Sequence, residues 1–132
     1  MQRSFGLIAI LVAAVPAAAH HSFAMFDQEK TITIQGTVKE FQFTNPHCWI
    51  QLMVPQAGGT VEWSIEMGGP GGLVRQGWKP HTLGAGDKVT VTIHPLRSGQ
   101  SGGSFVSIVL PNGQKLGGDQ IRDRQQQQKA GG

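Results

Sequence analysis

The sequence predicts an all-β domain whose strands close into a small barrel. Segments of strand length between residues 31 and 116 alternate apolar and polar side chains at period two. Glycine is abundant, at 19 of 132 residues, and helix formers are scarce in the middle of the chain. One segment, residues 71–78, changes to helical spacing.

The first nineteen residues read as a secretory signal peptide. Arg3 supplies the positive start, residues 5–15 (FGLIAILVAAV) form an apolar run, and Ala17, Ala18 and Ala19 offer a cleavage site after Pro16. The run is shorter than the roughly 20 residues that span a bilayer. The mature protein is therefore expected in the periplasm or secreted, with no membrane span, and to begin His20-His21-Ser22-Phe23.

Residues 20–30 form a polar and aromatic arm. The first strand follows, with Ile32, Ile34, Gly36 and Val38 on one face. The apolar phase then slips to Phe41 and Phe43, which predicts a bulge near Lys39 and Glu40. Thr44, Asn45 and Pro46 read as a turn. A second strand runs over 48–54 and, after a turn at 55–59, a third over 61–67. The glycine-rich breaker at 68–72 precedes Leu73, Val74, Gly77 and Trp78, whose spacing suits one short amphipathic helix stopped by Pro80. Val89, Val91 and Ile93 mark a fourth strand, residues 95–103 a flexible Gly/Ser loop, and residues 105–110 a fifth strand. Asn112-Gly113 signals a hairpin, so residues 114–116 form a short return strand. Residues 117–132 are polar, carry a four-glutamine run and are expected to be disordered.

Five strands with a coiled first strand and a helix between strands three and four form the layout of an OB-fold-like barrel spanning 31–116. A small sandwich is the competing architecture, and the helix placement favours the barrel. The barrel requires strand one to pair with strand four.

Composition excludes several classes of function. Cys48 is the single cysteine, so no internal disulfide can form. Net charge is +3, falls by one when Arg3 is removed, and is scattered along the chain. That is no nucleic-acid footprint. The chain shows no hydrolase triad, phosphate loop, CxxC motif or carboxylate pair of defined spacing, so an enzyme is not expected. An expected partner is a periplasmic or membrane-bound protein.

The segments HHSFAMFD (20–27), GTVKEFQFTNPHCWIQL (36–52), VEWSIEMG (61–68), LVRQGWKP (73–80) and GDKVTVTIHPLRSG (86–99) resemble the bacterial DUF6152 family of small exported proteins. The resemblance covers nearly all of the mature chain except the glutamine-rich tail. The family has no known function, so the resemblance implies no activity. Cys48 stands where a serine is expected in many relatives, and no thiol chemistry is implied.

The mature N-terminus carries the most suggestive chemistry. A free α-amine and the imidazole of His20 can chelate one copper ion, and copper(II) leads the affinity order for nitrogen ligands. Such a site needs a further imidazole. His21 and His47 are the first candidates, and His94 is an additional one. His94, at the end of strand four, is expected near the arm. His47 is expected at the other end of strand one, near Glu66. Ten extended residues reach about 35 Å, so the arm can fold back to His47. Glu66 is a candidate to orient an imidazole, and Met25 is a candidate soft ligand for copper(I). His81, in a loop, is expected to be solvated. Trp49, out of phase with Ile50 and Leu52, and Asn45 mark a candidate ligand groove, whereas Trp63 falls in the core phase. Two functions stay open: a periplasmic copper-binding protein, or a metal-free OB-type module that binds a protein partner or small ligand.

Overall fold

The computed structural model describes residues 24–118. Residues 1–23, which hold the expected signal peptide with His20 and His21, and residues 119–132, most of the expected tail, lie outside the described residues. The elements are β1 (Ile32–Gln42), β2 (Trp49–Gln56), β3 (Gly59–Glu66), α1 (Pro70–Arg75), β4 (Lys88–Pro95), β5 (Gly102–Val109) and β6 (Lys115–Gly117). The strand order is β3-β2-β1-β4-β5-β6, and a further β3–β5 pairing closes the ring. The result is an all-β, OB-fold-like barrel of five strands with a short helix between β3 and β4.

β1 belongs to both halves of the barrel. Residues 32–37 pair antiparallel with β4, and residues 37–42 pair antiparallel with β2. The β1–β2 register shifts between Val38 and Glu40, so Lys39 is the extra residue that the slipped apolar phase predicts. β3 and β5 meet in parallel over residues 64–66 and 102–104.

The strands run further than their apolar phase shows. β2 and β3 remain paired to Gln56 and Gly59, so the expected five-residue turn shrinks to Ala57 and Gly58. Gly58 has φ of 91°, the left-handed region that a tight hairpin needs. β5 starts at Gly102, inside the segment expected to be loop, because glycine lets it press against two strands at once. A Cβ on Gly103 would lie 2.5 Å from the His94 carbonyl oxygen and 2.7 Å from Ile93 Cδ1. The return strand includes Gly117, the expected first residue of the tail.

The helix ends earlier than its apolar spacing implies. Pro70 starts it, and Gly77, with φ of 97°, stops it before Pro80 can. The Gly77 N–H donates to the Val74 carbonyl at 3.1 Å and the Trp78 N–H to the Leu73 carbonyl at 3.0 Å, which is a Schellman closure. The turn sends Leu73 and Trp78 into the core and leaves Val74 55% exposed, so Val74 is not part of an apolar helix face.

Ile50, Leu52, Ile65, Val91, Ile93 and Ile108 fill the barrel interior, and Trp78 plugs one end. The Trp78 ring packs on Phe41 and Phe105 at centroid distances of 5.7 and 5.5 Å. Each fully buried aliphatic side chain contributes about 1.5–3 kcal/mol of transfer free energy. Among the described residues, no helix is long and apolar enough to cross a membrane.

Candidate functional site

The β3–β5 pairing builds a row of side chains across four strands. Glu66 on β3 pairs with Trp49 of β2 on one side and with Ser104 of β5 on the other. Ser104 pairs in turn with His94 of β4. Directly paired residues share a face of the sheet. Ile50, Ile65 and Ile93, each next to a member of this row in sequence, point inward, so the row lies on the outer face.

A cavity of about 470 Å³ opens beside the row. Phe26, Leu73 and Phe105 give it apolar walls, and His47, Glu66 and His94 contribute polar groups. The arm supplies Phe26, which is only 6% exposed. The Phe26 backbone bridges to Leu96, the Asp27 N–H donates to the Pro95 carbonyl at 2.9 Å, and the Arg97 N–H donates to the Met25 carbonyl at 2.9 Å. The described part of the arm is thus strapped along the chain that follows β4.

His47 is fixed where the β2–β3 ladder runs past its strand ends. The Cys48 N–H donates to the Gly68 carbonyl at 3.0 Å, and the Met67 N–H donates to the Cys48 carbonyl at 2.9 Å. The Thr44 hydroxyl donates to the His47 carbonyl at 2.8 Å. These bonds hold the imidazole with Nδ1 3.0 Å from the Met67 carbonyl oxygen. A carbonyl only accepts, so Nδ1 carries the proton and the neutral ring presents a lone pair at Nε2. Glu66 Oε1 lies 3.5 Å from the same Nδ1.

His94 is held the same way. Its Nδ1 lies 2.7 Å from the Lys30 carbonyl oxygen, close to the arm as expected, so in the neutral ring the lone pair is at Nε2. His94 lies by the start of β1 and His47 beyond its end, beside Glu66, as expected, yet both line the one cavity. The parallel closure of β3 on β5 carries the His47 end of the barrel round to the His94 end through Glu66 and Ser104.

Among the described residues, no group of three or more His, Cys, Asp and Glu side chains is close enough to hold a metal ion. His47, His94 and Glu66 therefore do not make a complete site on their own. Trp49 stands in the row beside Glu66, and neither it nor Asn45 is among the walls of this cavity. Met25 is 54% exposed on the arm and does not line the cavity. His81 is exposed. Cys48 is fully buried, and burial pushes its thiol above the ordinary range.

Sequence reasoning passed over Phe26, Ser104 and Phe105 as site residues. The signal for Phe26 is present in the sequence, as one of two aromatic residues in the arm. Ser104 had none, because its place in the row depends on which strand β5 meets.

Similarity to solved structures is distant. The barrel is similar to the mitochondrial single-stranded DNA-binding protein Rim1 of S. cerevisiae, at TM-score 0.47 and 14% identity, over 67% of this chain and 96% of that one. No curated protein matches the chain. The model of one family, described as a family of unknown function, matches residues 9–105, and the chain belongs to that family, DUF6152.

Proposed function

We propose that the protein binds a copper ion in the periplasm, with the mature N-terminal histidine completing a site that His47 and His94 begin. One observation carries this reading. Two imidazoles line a single cavity, and each commits its Nδ1 proton to a backbone carbonyl, so that in the neutral ring Nε2 keeps its lone pair for a metal, with no partner among the described residues. Metal-binding histidines commonly make this second bond, which fixes tautomer and ring orientation.

Two nitrogens do not hold copper(II) tightly, so further ligands must come from elsewhere. Cleavage after Ala19 would free the α-amine of His20, which adds an amine and an imidazole, with His21 beside it. Ala24, four residues on, is tied to Arg97 through its carbonyl, 3.2 Å from Nε. Four extended residues reach about 13 Å, and Phe26 already lines the cavity.

The test is a copper(II) titration of protein with an authentic His20 start against protein with one extra N-terminal residue. The extension moves the amine off the chelate ring, and at least tenfold weaker binding is expected. His47→Ala and His94→Ala each weaken binding by one ligand, and His81→Ala leaves it unchanged. Equal binding by the two starts would sink the reading. The second reading, a metal-free module with a small ligand, is favoured by cavity size, since about 470 Å³ far exceeds the volume of one ion.

A further inference from the structure

We propose that the same cavity takes a small organic ammonium ion, with Glu66 as the counter-charge and Phe26, Leu73 and Phe105 around the apolar body. The proposal goes beyond the copper reading and does not need the mature N-terminus. Three observations carry it.

The first is size and wall chemistry. Small-molecule pockets span about 300–1,000 Å³ and are mostly apolar with a few polar groups. The cavity has about 470 Å³ and two aromatic residues in its wall. Aromatic faces attract cations as well as apolar substituents.

The second is the sense of its hydrogen-bonding groups. An ionised carboxylate only accepts, and an Nε2 whose ring proton sits on Nδ1 only accepts. Glu66, and His47 and His94 as neutral rings, therefore bring three acceptors to the wall of the cavity. Ser104 and Gln76, also in its wall, can accept as well as donate. Such a set pairs with a ligand rich in donors, and a primary ammonium carries three.

The third is charge. Among the described residues lining the cavity, Glu66 is the one carboxylate, and no lysine or arginine lines it. The Glu66 side chain is only 16% exposed, and its ion-pair neighbour among the described residues is His47. The Nδ1 proton of that ring is already engaged by the Met67 carbonyl. A half-buried carboxylate with no Lys or Arg partner repels anionic ligands and is stabilised by a bound cation.

The test uses phenethylammonium as the probe and 2-phenylethanol as its neutral counterpart of the same shape. Both are titrated by calorimetry at neutral pH in excess EDTA, into protein with the authentic His20 start and into the extended form. The ammonium is expected to bind at least tenfold more tightly than the alcohol, and equally to both starts. Glu66→Gln should remove the preference for the charged probe, while Glu66→Asp retains part of it. Glu62→Gln, on the same strand but paired with Lys39 at 3.0 Å, should leave binding unchanged. Thermal melting of each variant separates loss of the charge from loss of the fold.

Equal affinity for alcohol and ammonium overturns the proposal, and so does full ammonium affinity in a folded Glu66→Gln variant. Binding that requires the authentic start also overturns it, since the ligand would then depend on the arm. Protein that fails the copper titration but passes this one holds an amine site without a copper site.

Discussion

His47 and His94 line one cavity although they are reached from opposite ends of β1, and each imidazole gives its Nδ1 proton to a backbone carbonyl, of Met67 and Lys30 respectively. The two rings are therefore held by main-chain atoms of different elements. Movement of the β2–β3 ends or of the arm would reach the cavity through one imidazole each.

Among the described residues, Arg97 makes two of the bonds that fasten the arm, from its backbone N–H to Met25 and from Nε to Ala24. Arg97→Ala removes the Nε bond alone. An exposed hydrogen bond of this kind contributes about 0.5–1.5 kcal/mol, so the melting temperature should shift by only a few degrees. Hydrogen exchange at Phe26 and Asp27 should accelerate, and copper affinity of the authentic start should fall severalfold. Unchanged exchange at these amides would show that Phe26 packing alone holds the arm.

Gly103 lets β5 lie against β4 at the site. A methyl group there would meet the His94 carbonyl oxygen and Ile93 Cδ1 within 2.7 Å, so the strands must part. Gly103→Ala should destabilise the protein by about 1–3 kcal/mol in urea unfolding. It should also shift the imidazole resonances of His94 more than those of His81. A variant as stable as the parent would contradict the closeness of this contact.

Core and surface positions should separate cleanly. Leu52 is fully buried and Val74 is 55% exposed. Leu52→Ala should cost about 2–5 kcal/mol, through lost burial and the cavity left behind. Val74→Ala on the short helix should stay within about 0.5 kcal/mol of the parent. A large loss at Val74 would mean that this face is covered in solution.

Cys48 is a buried thiol with its pKa raised by desolvation. The folded state disfavours the thiolate, so this residue's contribution to stability is fully present below the unfolded thiol pKa. It is lost as pH rises through the folded value. Unfolding free energy should therefore decline in alkaline buffer, and the decline should be smaller in Cys48→Ala. At neutral pH, iodoacetamide should modify Cys48 only in denaturant. Rapid alkylation of native protein would refute the burial.

Leu116 on β6 is 6% exposed and is the last buried side chain among the described residues. Removing residues 119–132 should leave the melting temperature nearly unchanged, whereas removal from residue 115 onward should lower it by several degrees. A loss of several degrees from the shorter deletion would show that the tail docks.

Much of the barrel was legible in the sequence because its signals are local. Alternation at period two marks β1 to β5, the phase slip from Val38 to Phe41 marks the bulge at Lys39, and Asn112-Gly113 marks the turn into β6. The order of elements, with a helix after the third strand, was enough to pair β1 with β4, and hence to place His94 near the arm and His47 near Glu66. Period two says nothing about which distant strand closes the ring. Only the tertiary structure decided that Gly102 and Gly103 would be strand rather than loop, since their pairing depends on two backbones approaching where a Cβ would not fit. The cavity was decided there as well. Its walls come from the arm, the helix and four strands, and the shared position of His47, Glu66 and His94 follows from long-range closure that no spacing along the chain encodes.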